Sequence, residues 1–245
     1  MRNAAEILSM TAEEFLSGQV ILIDKPYRWT SFQVVNKLKY LLKYHFGLKK
    51  FKIGHAGTLD PLATGLLIIC IGKHTKRIGE FQAQEKEYTG TFRFGATTPC
   101  FDLEKPIDTT YPFEHINNEI LQDAARHFTC SFEQVPPTFS AVWVNGKRAF
   151  QYARNDEKVN LEPKTITISA FEWTKLELPD ADFRVACSKG TYIRALARDI
   201  GVYVNSGAHL TALRRTRIGN FSVEDALSIQ DWEMAYEHFK QKKAR

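Results

Sequence analysis

The sequence predicts an α+β fold with a mixed, largely antiparallel central sheet flanked by helices. Strand-like and helix-like stretches follow one another along the 245 residues without the regular strand–helix–strand alternation of a parallel α/β protein. The composition, 44% hydrophobic and 25% charged, is typical of a globular chain and excludes a largely disordered one.

Apolar spacing predicts the individual elements. Alternating or continuous apolar runs predict strands over residues 19–23, 66–71, 88–94 and 183–187. Apolar residues at helical spacing predict helices over residues 116–128 and 193–204. A further helix is expected to be capped by Thr30 or Ser31 and to end at Gly47.

Several classes of protein are excluded or disfavoured. The longest apolar run, residues 66–71, is too short to span a bilayer, and the N-terminus has no signal-peptide core, so we expect a cytoplasmic protein without a membrane partner. The four cysteines are scattered and the seven histidines form no HxH or HxxxH pair, so no metal site is expected.

The net charge of +5 is unevenly distributed. Residues 25–59 contain eight basic side chains and no acid, and residues 184–217 carry a net charge of +6. Residues 102–137 carry a net charge of −5. Two basic segments around an acidic one are consistent with a surface that binds a polyanion such as RNA, although solvated helix faces would give the same pattern.

The glycine-rich loop GHAGTLDPLATG, residues 54–65, is the first candidate site. Asp60 precedes Pro61, which disfavours helical geometry, and a buried strand follows. An acid in such a loop is a candidate catalytic carboxylate; the alternative is that Asp60 only caps a turn. The loop lacks the GxxxxGK[ST] pattern of a phosphate-binding loop.

Other candidates lie elsewhere in the chain. In CSKGTYIR, residues 187–194, Arg194 in the first helical turn is suited to pair with a carboxylate, unless it is simply solvated. Tyr88 opens a strand, where an aromatic ring either stacks on a base or fills the core. Lys25 and Pro26 end the first strand and are expected to support a neighbouring loop.

Taken together, these motifs resemble the TruB-type tRNA pseudouridine synthases. LIDKPYRWTSF, GHAGTLDPLATG, KEYTGTFRFGATT, SKGTYIRALARDIG and SGAHLTALRRTRIGNF occur in the family's order, over residues 20–232. The resemblance implies the pseudouridine synthase fold and isomerisation of uridine to pseudouridine at position 55, in the T-loop of tRNA. No cofactor is implied.

The resemblance also implies residue roles. Asp60 matches the nucleophile, which attacks ribose or base or removes a sugar proton. A carboxylate in a desolvated pocket stays ionised only beside a compensating cation, and Arg194 matches the arginine that pairs with it. Tyr88 matches the tyrosine that stacks on the flipped-out uracil, with a part in proton transfer left open. His55 matches the histidine that occupies the space left in the T-loop when the target nucleotide is extruded, and Tyr192 and Leu213 match residues that line the uracil pocket. Lys147 and Arg148 are expected to contact phosphates, and Lys25 and Pro26 match the motif that supports the catalytic loop.

The resemblance predicts a catalytic domain over residues 1–235, an RNA-gripping insertion at about 130–160, and a basic tail over 236–245. A PUA domain is not expected, so the expected protein is a short bacterial form, monomeric and independent of a guide RNA, with the T-arm of tRNA as its partner. GATTPCFDLE, with Pro99 and Cys100, departs from the family pattern. Two alternatives stay open: a catalytically idle RNA-binding or RNA-folding module, and a substrate such as ribosomal RNA.

Overall fold

The computed structural model describes residues 3–243 except residues 141, 145, 156 and 158. The chain divides into two units. The first consists of Met1–Lys86 together with Arg214–Arg245, and the second is Glu87–Leu213. The chain therefore leaves the first unit at the start of one strand and returns to it within another.

The described residues contain eight α-helices and thirteen strands. The helices are α1 (Ala4–Leu8), α2 (Ala12–Ser17), α3 (Ser31–His45), α4 (Ile78–Ala83), α5 (Asn118–Phe128), α6 (Ala149–Arg154), α7 (Ile193–Tyr203) and α8 (Ile229–Lys243). The strands are β1 (Gln19–Lys25), β2 (Ile53–His55), β3 (Thr64–Ile71), β4 (Lys86–Phe94), β5 (Ala96–Thr97), β6 (Thr109–Thr110), β7 (Ser131–Gln134), β8 (Trp143–Val144), β9 (Lys147–Arg148), β10 (Lys164–Glu177), β11 (Asp180–Cys187), β12 (Ala208–Ile218) and β13 (Phe221–Ser222).

Strand β3 is the centre of the first unit. It pairs antiparallel with β1 and β2 and parallel with the end of β12, where Arg215 lies opposite Gly65. Successive side chains of a strand point to opposite faces. Leu67, Ile69 and Ile71 accordingly join a cluster with α1, α3 and α8, whereas the residues between them join a second cluster that includes Phe81. Both faces of β3 are covered, which explains its continuous apolar sequence.

Helix α3 follows the predicted pattern. The Thr30 side chain accepts a hydrogen bond from the Gln33 backbone N–H, and Gln33 reaches back to the Thr30 backbone, so a capping box starts the helix. The predicted apolar stripe is buried: Val34, Val35, Leu38, Leu41 and Leu42. Gly47, just beyond the end, has a φ of +63°, a conformation that favours glycine.

The second unit contains β4 between β12 and β11, and β10 between β11 and β7. Strands β10 and β11 form a long antiparallel hairpin with two register shifts. In the core of this unit the rings of Phe92 and Phe183 stack with centroids 4.1 Å apart. Helix α5 is tied to the hairpin because the indole N–H of Trp173 donates to the carbonyl of Leu121 at 2.7 Å.

The predicted fold class is confirmed. Of the strand pairings whose register is described, only that of β3 with β12 is parallel. The predicted strands and helices are all present with shifted ends; β1, for example, extends to Lys25. Among the described residues no helix combines the length and apolar character needed to cross a membrane.

The predicted basic tail and the predicted RNA-gripping insertion both contain regular secondary structure in their described residues. Helix α8 covers most of the residues predicted as a basic tail, of which 244 and 245 lie outside the described residues. The predicted insertion contains β7, the β8–β9 hairpin and α6, and residues 141, 145, 156 and 158 within it lie outside the described residues.

Candidate functional site

Asp60 lies in the loop that joins β2 to β3. At the base of the loop the Ala56 N–H donates to the carbonyl of Ile68 at 2.9 Å. The Ala63 N–H donates to the backbone carbonyl of Asp60 at 3.1 Å and closes a turn through Pro61. Asp60 is half-buried at the start of this turn. Its carboxylate is therefore carried by a short, hydrogen-bonded turn in front of the most buried strand of the first unit.

Lys25, the last residue of β1, supports this loop through a hydrogen bond to Pro61. Its side chain is fully buried, and its ammonium donates to the carbonyls of Trp29 at 2.6 Å, Pro26 at 2.9 Å and Pro61 at 3.3 Å. An ammonium has three N–H donors, so these carbonyls can use all of them. Burial lowers the pKa of Lys25 to about 8, and the negative charge of Asp60 opposes that shift.

Ser31 fixes the other side of Asp60. Its hydroxyl accepts a hydrogen bond from the Leu59 N–H at 2.9 Å and lies 3.2 Å from the Leu59 carbonyl, to which it donates. The Arg28 N–H donates to the Pro61 carbonyl at 2.9 Å. The residues before and after Asp60 are thus both bonded to the segment that leads from β1 into α3. The sequence indicated Ser31 only as a possible helix cap.

Arg215 joins the two ends of the Asp60 loop. Its guanidinium is buried and donates to the carbonyl of Leu66 at 2.8 Å and to that of Gly57 at 3.0 Å. Its backbone lies against Gly65, where an added Cβ would be 2.3 Å from the Arg215 carbonyl oxygen. Sequence reasoning missed this residue. The available signal was its place in SGAHLTALRRTRIGNF, one of the motifs that carry the family resemblance.

His55, the last residue of β2, lies beside the same loop. It is half-buried, and burial together with the positive charge of Arg215 lowers its pKa, while a hydrogen bond with the backbone of Gly57 opposes the shift. A lowered pKa means a neutral imidazole at pH 7. The first unit therefore brings together four of the residues singled out in the sequence: Lys25, Pro26, His55 and Asp60.

Arg194 is buried near the start of α7 in the second unit. Its guanidinium donates to the carbonyls of Phe139 at 2.9 Å and Cys100 at 3.1 Å. Its Nε lies 3.6 Å from a carboxylate oxygen of Asp102, which is also buried. Asp60 belongs to the other unit, and the pairing of Arg194 with Asp60 stays a prediction.

Asp102 is the second residue that sequence reasoning missed. It lies in the segment GATTPCFDLE that departs from the family pattern. Its other carboxylate oxygen accepts a hydrogen bond from the Glu104 N–H at 3.0 Å, and the Thr98 hydroxyl donates to its backbone carbonyl at 2.7 Å. The segment is therefore folded around a buried ion pair. An aspartate surrounded by apolar residues was the only sequence signal.

Tyr192, which precedes α7, is held through its backbone. Its N–H donates to the side-chain oxygen of Gln134 at 2.9 Å, and the Gln134 amide donates back to the Tyr192 carbonyl at 3.2 Å. Gln134 is buried at the end of β7. Tyr88, nine-tenths buried in β4, and Leu213, half-buried in β12, are the remaining candidates of this unit that were expected to contact uracil.

Lys147 and Arg148 form the short strand β9, which pairs with β8. Lys147 is exposed and Arg148 is half-buried. The guanidinium carbon of Arg148 lies 4.2 Å from the centroid of the Trp143 ring, a cation–π contact.

Among the described residues no group of three or more His, Cys, Asp or Glu side chains is placed to hold a metal ion.

Comparisons with known proteins agree with the motifs. A model of the N-terminal domain of TruB family pseudouridylate synthases matches residues 43–193, and a model of the tRNA pseudouridylate synthase B C-terminal domain matches residues 194–245. A protein of Flavobacterium johnsoniae named tRNA pseudouridine synthase B is 58% identical over 91% of this chain and 98% of its own. A protein of the same name from Phocaeicola vulgatus is 57% identical over 89% of this chain and 93% of its own.

A solved structure supports the fold. A chain in a crystal structure of a Cbf5–Nop10–Gar1 complex is 28% identical, with a TM-score of 0.71 over 97% of this chain. This chain spans about 60% of the length of that one. The family models, the relatives and the fold lead to the same conclusion: the chain belongs to the TruB family of pseudouridylate synthases.

Proposed function

We propose that this protein isomerises uridine to pseudouridine at position 55 in the T-loop of tRNA. The observation that carries the proposal is the fixed geometry of the Asp60 loop, whose neighbours Leu59 and Pro61 are bonded to Ser31 and Lys25. Such a loop presents one carboxylate in a defined place, which nucleophilic or general-base catalysis requires. The names of the two relatives at 57% and 58% identity support tRNA as the substrate.

The reaction rearranges bonds within one nucleotide. The glycosidic C–N bond of uridine breaks, the uracil turns, and a C–C bond forms between the base and the same ribose carbon. The proton displaced from the ring carbon is balanced by one gained at the freed ring nitrogen, so no oxidant or reductant is consumed. Asp60 acts on ribose or base, or removes a sugar proton.

The other residues act by binding and charge. Arg194 compensates the charge of the Asp60 carboxylate in the desolvated site, and Asp102 with two carbonyls keeps its guanidinium in place. Tyr88 stacks on the flipped-out uracil, which Tyr192 and Leu213 enclose. His55 occupies the space that the base leaves. Extrusion of the base is needed because its reacting atoms are inaccessible in the folded T-loop.

A single-turnover assay tests the proposal. Protein is mixed with an unmodified T-arm stem-loop, and pseudouridine is measured by nucleoside analysis. We expect product from the wild type and none from Asp60→Asn, which should still bind the RNA within about tenfold of the wild type because only the chemistry is lost.

The matched control is Asp225→Asn, which removes an exposed carboxylate of the same unit and should react like the wild type. Product from Asp60→Asn at the wild-type rate would contradict the role of Asp60. Tight binding of stem-loop and full tRNA without any product from the wild type would favour an RNA-binding module or a different RNA substrate.

A further inference from the structure

Trp143 is an exposed aromatic side chain on the hairpin of β8 and β9. Its exposed fraction is 61%, although tryptophan usually lies mostly buried. In the hairpin register Trp143 lies opposite Arg148, whose guanidinium carbon is 4.2 Å from the ring centroid. The cation therefore contacts the indole ring while most of the side chain stays accessible to solvent.

The hairpin that carries this pair is tied to helix α6. The Ala149 N–H donates to the Val142 carbonyl at 2.7 Å, and the Tyr152 hydroxyl donates to the Val144 carbonyl at 3.2 Å. The Arg148 N–H donates to the Gln151 side chain at 2.9 Å. These bonds tie the hairpin to the helix, so the backbone that carries the Trp143 ring is already held in place in the unbound protein.

The strand that pairs with the Trp143 strand is basic. It consists of Lys147, which is exposed, and Arg148. A Cβ added at Gly146, where φ is +80°, would meet no atom within 4 Å, so the backbone beside the platform is open to close approach. An anionic ligand with a flat apolar face matches this combination of cations, aromatic ring and bare backbone.

We propose that Trp143 and Arg148 form a stacking platform for an unpaired nucleobase of the bound RNA. This inference rests on the proposed function, which supplies the RNA. Base stacking on an aromatic ring needs a base whose face is not covered by pairing neighbours, as in a loop or bulge. The Arg148 guanidinium stacks on the same ring and adds positive charge beside the phosphates. A paired duplex offers no such face, and an apolar protein partner would not use the cations.

The test compares two substitutions at one position. Trp143→Leu keeps apolar bulk and removes the aromatic face, whereas Trp143→Phe keeps a smaller one. Binding of a T-arm stem-loop is measured by titration with labelled RNA. We expect Trp143→Leu to weaken binding about tenfold or more and Trp143→Phe to stay within about threefold of the wild type.

Stem-loops with one abasic nucleotide identify the stacked base. We expect a single abasic position at which the wild type and Trp143→Leu bind equally, because the partner of the ring has been removed. Equal affinity of both variants and the wild type for the intact stem-loop would overturn the platform. A loss that Phe does not rescue would also overturn it, since stacking requires only an aromatic face.

Two further outcomes separate this inference from others. Trp143-dependent binding without any pseudouridine from the wild type would contradict the proposed function and leave the platform standing. Unchanged RNA affinity with a shift of Trp143→Leu to lower mass in sedimentation would overturn the platform in favour of a protein interface.

Discussion

Two buried cations of the first unit, Lys25 and Arg215, are bonded mainly to backbone carbonyls. Among the described contacts Lys25 donates to three carbonyls and Arg215 to two. A carbonyl satisfies the hydrogen bond of a cation without neutralising its charge. Burial lowers the pKa of both Lys25 and His55, and the positive charge of Arg215 adds to that shift. The negative charge of Asp60 favours the protonated form of Lys25. Lys25 therefore both supports the Asp60 loop by hydrogen bonds and interacts electrostatically with the Asp60 carboxylate.

The buried pair of Asp102 and Arg194 gives a first prediction at this scale. Removing Asp102 takes one negative charge away from the buried guanidinium of Arg194. We expect Asp102→Ala to lower the free energy of unfolding by up to about 3–5 kcal/mol in urea denaturation. Asp108→Ala removes an exposed aspartate of the same unit that is bonded to Thr97, and should remain close to the wild type. Equal stability of the two variants would show that Asp102 does not compensate Arg194.

Lys25 gives a pH-dependent prediction. Its pKa is about 8 in the folded protein and 10.5 ordinarily, so between these values the unfolded chain binds a proton that the folded chain lacks. Stability then rises with pH. We expect the unfolding free energy of the wild type, relative to Lys25→Met, to increase from pH 8 to 10.5 by about 3 kcal/mol at most. Urea denaturation at several pH values measures it, and a difference that falls over this range would contradict the burial of a protonatable Lys25.

At the scale of elements, β3 determines where the Asp60 loop ends. Its first residues pair with Arg214 and Arg215 of β12, and this contact is close because Gly65 has no side chain. Gly65 also has a φ of +103°, which other residues rarely adopt. The loop therefore closes onto β12 only with glycine at this position.

Gly65→Ala tests this closure. The new Cβ would lie 2.3 Å from the Arg215 carbonyl oxygen, so the variant combines a backbone clash with an unfavourable φ. We expect a loss of unfolding free energy of about 3 kcal/mol or more. Gly47→Ala has the same kind of φ, +63°, and open space around it, so it should lose about 1 kcal/mol from backbone strain alone. Chemical denaturation of the two variants measures the difference, and equal losses would rule out the clash.

Elements could be predicted from the sequence where their signal is local. Each of three local signals is contained in a short stretch of sequence: the apolar stripe of α3, its Thr30 cap and the apolar run of β3. The motif that contains Asp60 is equally local, at twelve residues, and the role of Asp60 stays a prediction. Ser31, Asp102, Gln134 and Arg215 were not identified because their partners are distant in sequence. Arg215 and Gly57, for example, are 158 positions apart, and no periodicity shows such a contact.

At the scale of the whole molecule, charge is the property that the proposed function uses most. A net charge of +5 is modest, yet the basic side chains are concentrated in residues 25–59 and 184–217. Binding of RNA releases counterions in proportion to the phosphates that basic side chains neutralise. The logarithm of the binding constant should accordingly fall steeply and linearly with the logarithm of salt concentration.

Lys147 allows this dependence to be assigned to one contact. It is exposed in β9 and is expected to meet a phosphate, so Lys147→Ala should reduce the magnitude of the salt slope by about 1. The matched control is Lys175→Ala, which removes an exposed lysine already paired with Glu177 at 2.8 Å and should leave the slope unchanged. Titrations of a T-arm stem-loop at four or more salt concentrations measure all three slopes. Identical slopes for the wild type and both variants would remove Lys147 from the phosphate contacts, and a flat response of the wild type would contradict a basic RNA-binding surface.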